Sequence, residues 1–431
     1  MPDRDDVHES VSRGAGAEAE VVEHRETTCC IVGGGPAGIM LGLLLARADV
    51  PVLVLESHND FDRDFRGDTI QASTLEVLDQ IGLADPILKA IPHGKIETMT
   101  IVTPEGRTPL ADLRRLKTKF PYVATIPQAE FLTYLAEEAR KLPSFNLVMG
   151  ANVQRLVEEE GVVKGVRYRG AENTWHEVRA TLTVAADGRF SKIRSLLGLE
   201  PIKTSPPMDI LWFRLPRRPD DACDLSSIAI HDGHFVVVLE RADQWQVGFA
   251  ILKGSFQQVR KGGLDEVKRL FAEMVPALAD RIDVLTDWKQ IAVLSVESNL
   301  LERWYQPGLL LIGDAAHVIS PVGGVGINVA IQDAVEAANL LTAPLKEGRL
   351  QESDLAALQT RREGPVRAIQ KFQERIQKTI IAQGFQAGKA FRLPWPLRIL
   401  NHLPILRDYP AKMIAFGSGR GRVENAPQSL R

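Results

Sequence analysis

Thr27 to Glu56 reads TTCCIVGGGPAGIMLGLLLARADVPVLVLE. Thr28 to Val32 is a short β-branched and apolar run that predicts a strand. It enters a glycine turn, passes into an apolar helix from about Pro36 to Ala48, and returns as a second apolar strand, Val52 to Leu55. The turn has the spacing Gly33, Gly35, Gly38, with Pro36 and Ala37 opening the helix. The first glycine permits a tight turn, the second lets a pyrophosphate approach the backbone, and the third lets helix pack on strand. Free amides and the positive end of the helix then face the phosphates. Glu56, eighteen residues after Gly38, ends the second strand, where a carboxylate can accept from a ribose 2′-hydroxyl. An ordinary glycine turn needs no such acid, so the stretch reads as a dinucleotide-binding βαβ unit.

The chain's 431 residues exceed the usual size of one core, so two domains or large insertions are expected. Its 45% hydrophobic and 25% charged residues are those of a globular protein. A net charge of −3, without a Lys/Arg block interleaved with aromatics, argues against nucleic acid as partner. Three cysteines cannot make a disulfide framework; Cys29 and Cys30 point to opposite faces of the first strand and Cys223 is solitary. A reducing, cytoplasmic setting is expected. None of the nine histidines falls into a metal-binding spacing, so no metal is expected. Residues 1–26 are polar, lack an apolar signal core and read as a disordered acidic leader, and no apolar run reaches the length of a membrane span.

After Glu56 a charged loop, SHNDFDRDFRGDTI, leads to a helix with Leu75, Leu78 and Ile81 on one face. The loop lies beside the dinucleotide, and Arg63 or Arg66 reads equally as a phosphate or ribose contact and as a solvated charge. An amphipathic helix begins at Pro127-Gln128, with Phe131, Leu132, Leu135 and Ala139 inward. Short strands follow, and the run LTVAADG closes a buried one at Asp187-Gly188-Arg189-Phe190-Ser191-Lys192-Ile193-Arg194. A strand ending in Asp-Gly and feeding a helix is where an open α/β sheet presents polar groups to a ligand, although Asp-Gly is also a common turn.

Residues 206–300 read as an antiparallel meander. In its last strand Trp245, Val247, Phe249 and Ile251 alternate with Gln246, Gly248 and Ala250. Such an inserted sheet is a natural pocket wall. Trp212, Phe213 and Phe235 are candidate lining residues, with His234, Phe249 and, further on, Pro321. The plainer reading for any one of the aromatics is packing against a covering helix near Leu264 to Met274.

Leu309 to Asn328, LLLIGDAAHVISPVGGVGIN, is a buried strand ending in Gly313-Asp314, a Pro-Gly loop, and the start of an apolar helix, VAIQDAVEAANLL. A glycine loop opening a helix suits an electron-rich ring or its anion, and Asp314 suits a hydroxyl-rich linker. The last 85 residues read as helices: 352–363, a break at Gly364-Pro365, then Val366, Ile369, Phe372, Ile376 and Ile380 at helical spacing. Residues 391–416 admit a membrane-surface segment, but their prolines favour packing as a lid or brace.

The three stretches, in this order, closely resemble the class A flavoprotein monooxygenases of the p-hydroxybenzoate hydroxylase type. The match consists of Gly33-x-Gly35-x-x-Gly38 with Glu56, Asp187-Gly188-x-x-Ser191-x-x-Arg194, and Gly313-Asp314-Ala-Ala-His317 with Pro321, Gly324, Gly326, Asn328 and Asp333. The resemblance implies an α/β fold. A Rossmann-like FAD-binding domain (27–96, 126–205 and 300–345) would carry an inserted antiparallel β-sheet substrate domain (97–125 and 206–299) and C-terminal helices (346–431). It also implies residue roles: Glu56 on the adenosine ribose, Arg66 and Gln128 on the ribose or pyrophosphate region, Asp314 on the ribityl chain, and Gly326, Ile327 and Asn328 beside the flavin's pyrimidine edge. Asp187 and Gly188 would serve both FAD and passing NAD(P)H, and the Val153 backbone would meet adenine. Val325 and Ile327 depart from the family loop, where backbone contacts still serve.

By that resemblance, NAD(P)H docks transiently and reduces FAD, and O2 then yields a flavin hydroperoxide that hydroxylates an aromatic, quinone-like or polyketide-like small molecule. The flavin carries the chemistry, and the protein orients the reactants and excludes water. His234, His317 and Tyr122 could exchange protons, but each reads first as a packed or solvent-bridging residue. A dehydrogenase or reductase on the same fold is the alternative; intact motifs argue against a flavin-binding protein without turnover.

Overall fold

The computed structural model describes residues 21–62, 68–170, 172–204, 208–221, 226–231, 233–384, 404–417 and 419–424. Arg63, Arg66, Cys223 and residues 391–403 of the proline-rich segment lie outside these. Five parallel strands form the centre of the larger sheet, in the spatial order Leu309–Leu311, Trp175–Ala185, Val21–Val32, Val52–Leu55, Phe145–Val148. Such strands, covered on both faces, need near-continuous apolar runs, and Cys29 to Val32 and Val52 to Leu55 are buried throughout. The first strand begins at Val21, so residues 21–26 are strand and not leader. They continue the register against Trp175–Arg179, and Glu23 pairs with both Arg25, at 2.8 Å, and His176, at 3.0 Å.

The helix Pro36–Arg47 is buried from Ala37 to Ala46, lying between the sheet and the helices Gln128–Arg140 and Gly326–Lys346. A second sheet of seven strands is built from Ala292–Ser295, Met208–Pro216, Gln244–Leu252, His234–Glu240, Ser227–His231, Thr98–Thr103 and Gly106–Asp112, in that order. All but one of its pairings are antiparallel; Ser227–His231 runs parallel to Thr98–Thr103.

The helix Glu352–Gly384 passes straight through Pro365, where a break was expected. Proline removes one backbone hydrogen bond, but burial of Val366 and Ile369 in the core and of Arg362 beside Asp333 holds the helix on both sides of it. The expected apolar stripe is also displaced: Phe372 is 36% exposed, whereas Gln373 and Gln377 are buried. The helix Pro404–Phe416 packs on the edge strand Gly106–Asp112 and on the helix Ala72–Gln80. Among the described residues no helix is long and apolar enough to cross a membrane.

Asp333, fully buried, ties three segments together. It accepts from Gly313 N at 2.9 Å, lies 2.7 Å from His317 Nε2, and accepts from Arg362 Nε at 2.7 Å. Burial alone would raise its carboxyl; the charges and hydrogen bonds of His317 and Arg362 outweigh that and hold it down to about 2. Replacing one member of a buried charged cluster strands the others, so Asp333→Asn is expected to cost about 3–5 kcal/mol in urea unfolding of the apoprotein. Because the folded-state value lies below the ordinary carboxylate value of about 4, the difference is full above that pH and narrows as pH falls toward 2.

Candidate active site

The parallel strands end on one edge, and the three glycine-bearing motifs meet there. Gly33, at φ +106°, lies so close to the neighbouring strand end that a Cβ would sit 2.3 Å from Ala186 O. A Cβ on Gly38 would sit 1.9 Å from Gly33 O, which closes the turn onto the helix. At Gly35 nothing lies within 4 Å of that position, so its backbone faces open space at the N-terminus of Pro36–Arg47, where no side chain caps the helix. This is the geometry that lets a pyrophosphate reach backbone amides.

Glu56 is buried at the end of its strand and braces the same turn: Oε2 accepts from Gly34 N at 2.7 Å, while Oε1 accepts from His58 N at 3.0 Å and lies 2.7 Å from His58 Nδ1. Ala151 N donates to Glu56 O at 2.8 Å, bringing Val153, buried in the strand Asn152–Glu159, near the same corner.

Asp187 follows the strand that touches Gly33. Its Oδ1 accepts from Ser191 Oγ at 2.6 Å and its Oδ2 from Ile193 N at 3.1 Å. Burial pushes its carboxyl up, against these hydrogen bonds. Gly188, at φ +81°, opens to free space. Beside it Gly313, at φ +58°, packs against Ala37 and Ala330, leaving Asp314 half-buried at the strand end. The helix Gly326–Lys346 has no side-chain cap and no acid in its first turn, and Gly326 is open at the Cβ position. Its N-terminus thus presents uncapped amides and a positive dipole end beside the dinucleotide turn.

The Asn328 side chain holds the loop ahead of its helix. Its Oδ1 accepts from Gln71 N at 2.8 Å and Thr74 Oγ1 at 2.7 Å, and its Nδ2 donates to Thr69 O at 3.0 Å and Gly324 O at 3.2 Å. These four bonds commit the buried side chain to clamping the loop. Ile327 is half-buried against the main core. Gln128 stands at the start of its helix, where its N–H donates to Asp68 Oδ1 at 3.0 Å. Asp68 Oδ2 accepts from Arg241, in the turn after the strand His234–Glu240, both side chains being buried; this pair, which ties the turn of the second sheet to the segment ahead of Thr69–Ile70, was not legible as a motif.

The second sheet corrects three lining candidates: Phe213 is buried on the helix-covered face, its ring centroid 5.7 Å from that of Phe271. Phe249 and His234 point to the face covered by Leu264–Met274: Phe249 is buried with Phe271 and Met274, and His234 lies against it, with ring centroids 5.7 Å apart. Bulky residues there fill the space under a helix, which leaves the small Gly248 and Ala250 for the opposite face. On that face are Phe235, Ala250 and Trp212, and Val322 from the loop ahead of Gly326 packs with them. Trp212 stands across from Gly248, where a Cβ would come within 2.9 Å of its ring. Pro321 is half-buried in the same loop. His317 is committed to Asp333 and lies tilted against Trp304, with ring centroids 4.8 Å apart, and Tyr122 is packed against Phe120.

A protein-family model described as FAD binding domain matches residues 26–372. The 6-methylpretetramide 4-monooxygenase of Streptomyces rimosus is 33% identical over 407 residues, spanning 93% of this chain and 94% of that one. Among solved structures, PqsL of P. aeruginosa has a TM-score of 0.73 at 19% identity over 84% of this chain and 99% of its own. OxyS anhydrotetracycline hydroxylase from Streptomyces rimosus has 0.69 at 23% identity over 90% and 76%. At these identities the two structures speak to the fold alone. The cradle fits FAD: open backbone at Gly35 for the pyrophosphate, an acid at Glu56, and an open, uncapped helix start at Gly326.

Two glycines separate binding from folding. Gly35→Val, whose side chain enters open space, is expected to leave apoprotein stability unchanged while weakening FAD about 10–100-fold, the worth of one or two lost charged hydrogen bonds, read by flavin-fluorescence titration. Gly38→Ala collides with Gly33 O and is expected to lose at least about 1–3 kcal/mol of apoprotein stability, read by chemical denaturation.

Proposed function

The chain belongs to the FAD binding domain family as an FAD-dependent aromatic hydroxylase, and on that premise we propose that it inserts one oxygen atom into an aromatic small molecule of polyketide type. The likeness to a 6-methylpretetramide 4-monooxygenase along nearly the whole chain carries this reading. In the balanced reaction, NAD(P)H, a proton, O2 and an aromatic C–H give NAD(P)+, water and a hydroxylated ring. FAD, when bound, supplies the two-electron chemistry and oxygen activation.

The chain's own groups bind and orient. Backbone around Gly33–Gly35 holds the pyrophosphate and Glu56 the adenosine ribose. Asp314 meets the ribityl chain, and the amides at Gly326 and Ile327 support negative charge on the reduced ring. Val153 backs the adenine, Gln128 meets the ribose or pyrophosphate region, and Asp187 with Gly188 borders the route of NAD(P)H. The apolar face bearing Trp212 and Phe235, with Pro321 and Val322 above it, excludes water from the ring to be hydroxylated. A reducing, cytoplasmic setting suits the buried thiols of Cys29 and Cys30, which burial pushes far up from their ordinary value.

The test is oxygen uptake and product mass under ¹⁸O2 with 6-methylpretetramide and simple phenols. Substrate-stimulated NAD(P)H oxidation with one labelled atom in the product is expected; a product oxidised without label would move the reading to a dehydrogenase. The two faces of the second sheet give a finer check. Trp212→Ala should raise the KM for the aromatic substrate about tenfold, the equivalent of roughly 1.4 kcal/mol. Phe249→Ala should leave KM unchanged while costing about 3–5 kcal/mol of stability.

A further inference from the structure

The loop that precedes Gly326 has little regular structure of its own. Pro321 has no N–H, and within the loop Gly324 N donates to Pro321 O at 3.0 Å. Its outer flank is held by Asn328 and Thr69, whose Oγ1 donates to Gly324 O at 2.8 Å. The other flank faces the helix Glu352–Gly384, and there one helical stripe of glutamines supplies the donors. Gln370 Nε2 donates to Asn299 O at 2.9 Å and Val318 O at 3.1 Å. Gln373 Nε2 donates to Ser320 O at 2.9 Å and Val322 O at 2.6 Å, and Gln377 Nε2 to Ser320 Oγ at 2.6 Å. Ser320 is 1%, Gln373 3% and Gln377 6% exposed.

Buried carbonyls outside helix and sheet must find donors or move toward water. The spacing 370, 373, 377 keeps the three amides on one side of the helix, and their donors are fixed to a scaffold rooted in the core by Val366, Ile369 and the Arg362–Asp333 pair. Filling space does not account for them, because Gln373 Oε1 is left buried without a partner; an apolar side chain of equal size would avoid that cost. What the stripe does provide is a fixed height for Ser320 to Val322 over the start of the helix Gly326–Lys346.

We propose that Gln373 and Gln377, with Gln370 fixing the strand just ahead at Val318, are positioning residues that hold the Ser320–Val322 part of the loop and thereby set how strongly the Gly326 helix start stabilises the reduced flavin. The proposal rests on the placement of the flavin ring beside Gly326. Loosening the loop withdraws the positive helix end from the reduced, anionic ring and leaves the oxidised ring less affected.

The test uses Gln373→Leu, with two measurements. In the apoprotein, amide hydrogen exchange at Val322 to Val325 is expected to quicken about tenfold. In the FAD-loaded protein, the flavin's reduced-to-oxidised ratio at fixed ambient potential is expected to fall about tenfold, a shift of roughly 30 mV to more negative potential for a two-electron couple. Gln359→Leu serves as the control, since Gln359 Nε2 bonds Glu302 O on the same helix away from the loop; it should leave the potential unchanged. Faster exchange with an unchanged potential would reduce the stripe to a structural brace and overturn the proposal, as would unchanged exchange. Gly326→Val tests the cradle separately: if it shifts the potential and Gln373→Leu does not, the stripe fails alone, and if neither does, the placement of the ring fails with it. Should Gln373→Leu not fold, Gln377→Leu removes the single bond to Ser320 Oγ and is read the same way.

Discussion

The structure depends on one steric constraint: the backbone of Gly33 is pressed between two neighbours. Its carbonyl lies where a Cβ of residue 38 would be, and its Cα abuts the carbonyl of Ala186. Only glycine at both 33 and 38 lets the strand Val21–Val32, the helix Pro36–Arg47 and the end of the strand Trp175–Ala185 converge at that spacing. Gly313 packs less tightly, a Cβ there coming 3.3 Å from Ala37 and 3.4 Å from Ala330, and its φ of +58° favours glycine. These contacts bring the strand ends that carry Glu56, Asp187 and Asp314 to one edge of the sheet. At Gly35 and Gly326, by contrast, the backbone opens to space. Close packing at 33, 38 and 313 and openness at 35 and 326 are complementary: the first shapes the cradle and the second leaves it accessible.

Charge is arranged to keep that shape. Asp333 anchors Gly313 to two helices, and the Asp68–Arg241 pair links the Gln128 helix start to the second sheet. Burying such groups is costly unless they are fully partnered. Asp333 meets that condition with His317 and Arg362.

The cradle was legible in the sequence because each motif is local: a strand, a glycine turn and an acid within a few tens of residues. Val52–Leu55 spans the residues that its apolar run predicts, and the first helix differs from expectation by a single residue at its end. The sidedness of the second sheet was not legible. Alternation sets Phe249 with Trp245, Val247 and Ile251 on one face of their strand, but the side on which Phe235 of the neighbouring strand falls depends on register, and the opposite face is marked only by Val322, far along the chain. Nor was the glutamine stripe legible. Counting apolar residues at helical spacing selects Phe372 and passes over Gln373 and Gln377, whose burial is explained only by the carbonyls of a loop some fifty residues earlier.

The most direct test of the account is a crystal structure of the FAD complex, measured for where the pyrophosphate and the ring lie. The account predicts the pyrophosphate over the Gly35 backbone, the adenosine ribose at Glu56 and the ring's pyrimidine edge at the amides of Gly326 and Ile327. A dinucleotide bound with its ring away from the Gly326 helix start, or with its pyrophosphate off the Gly33–Gly38 turn, would contradict it.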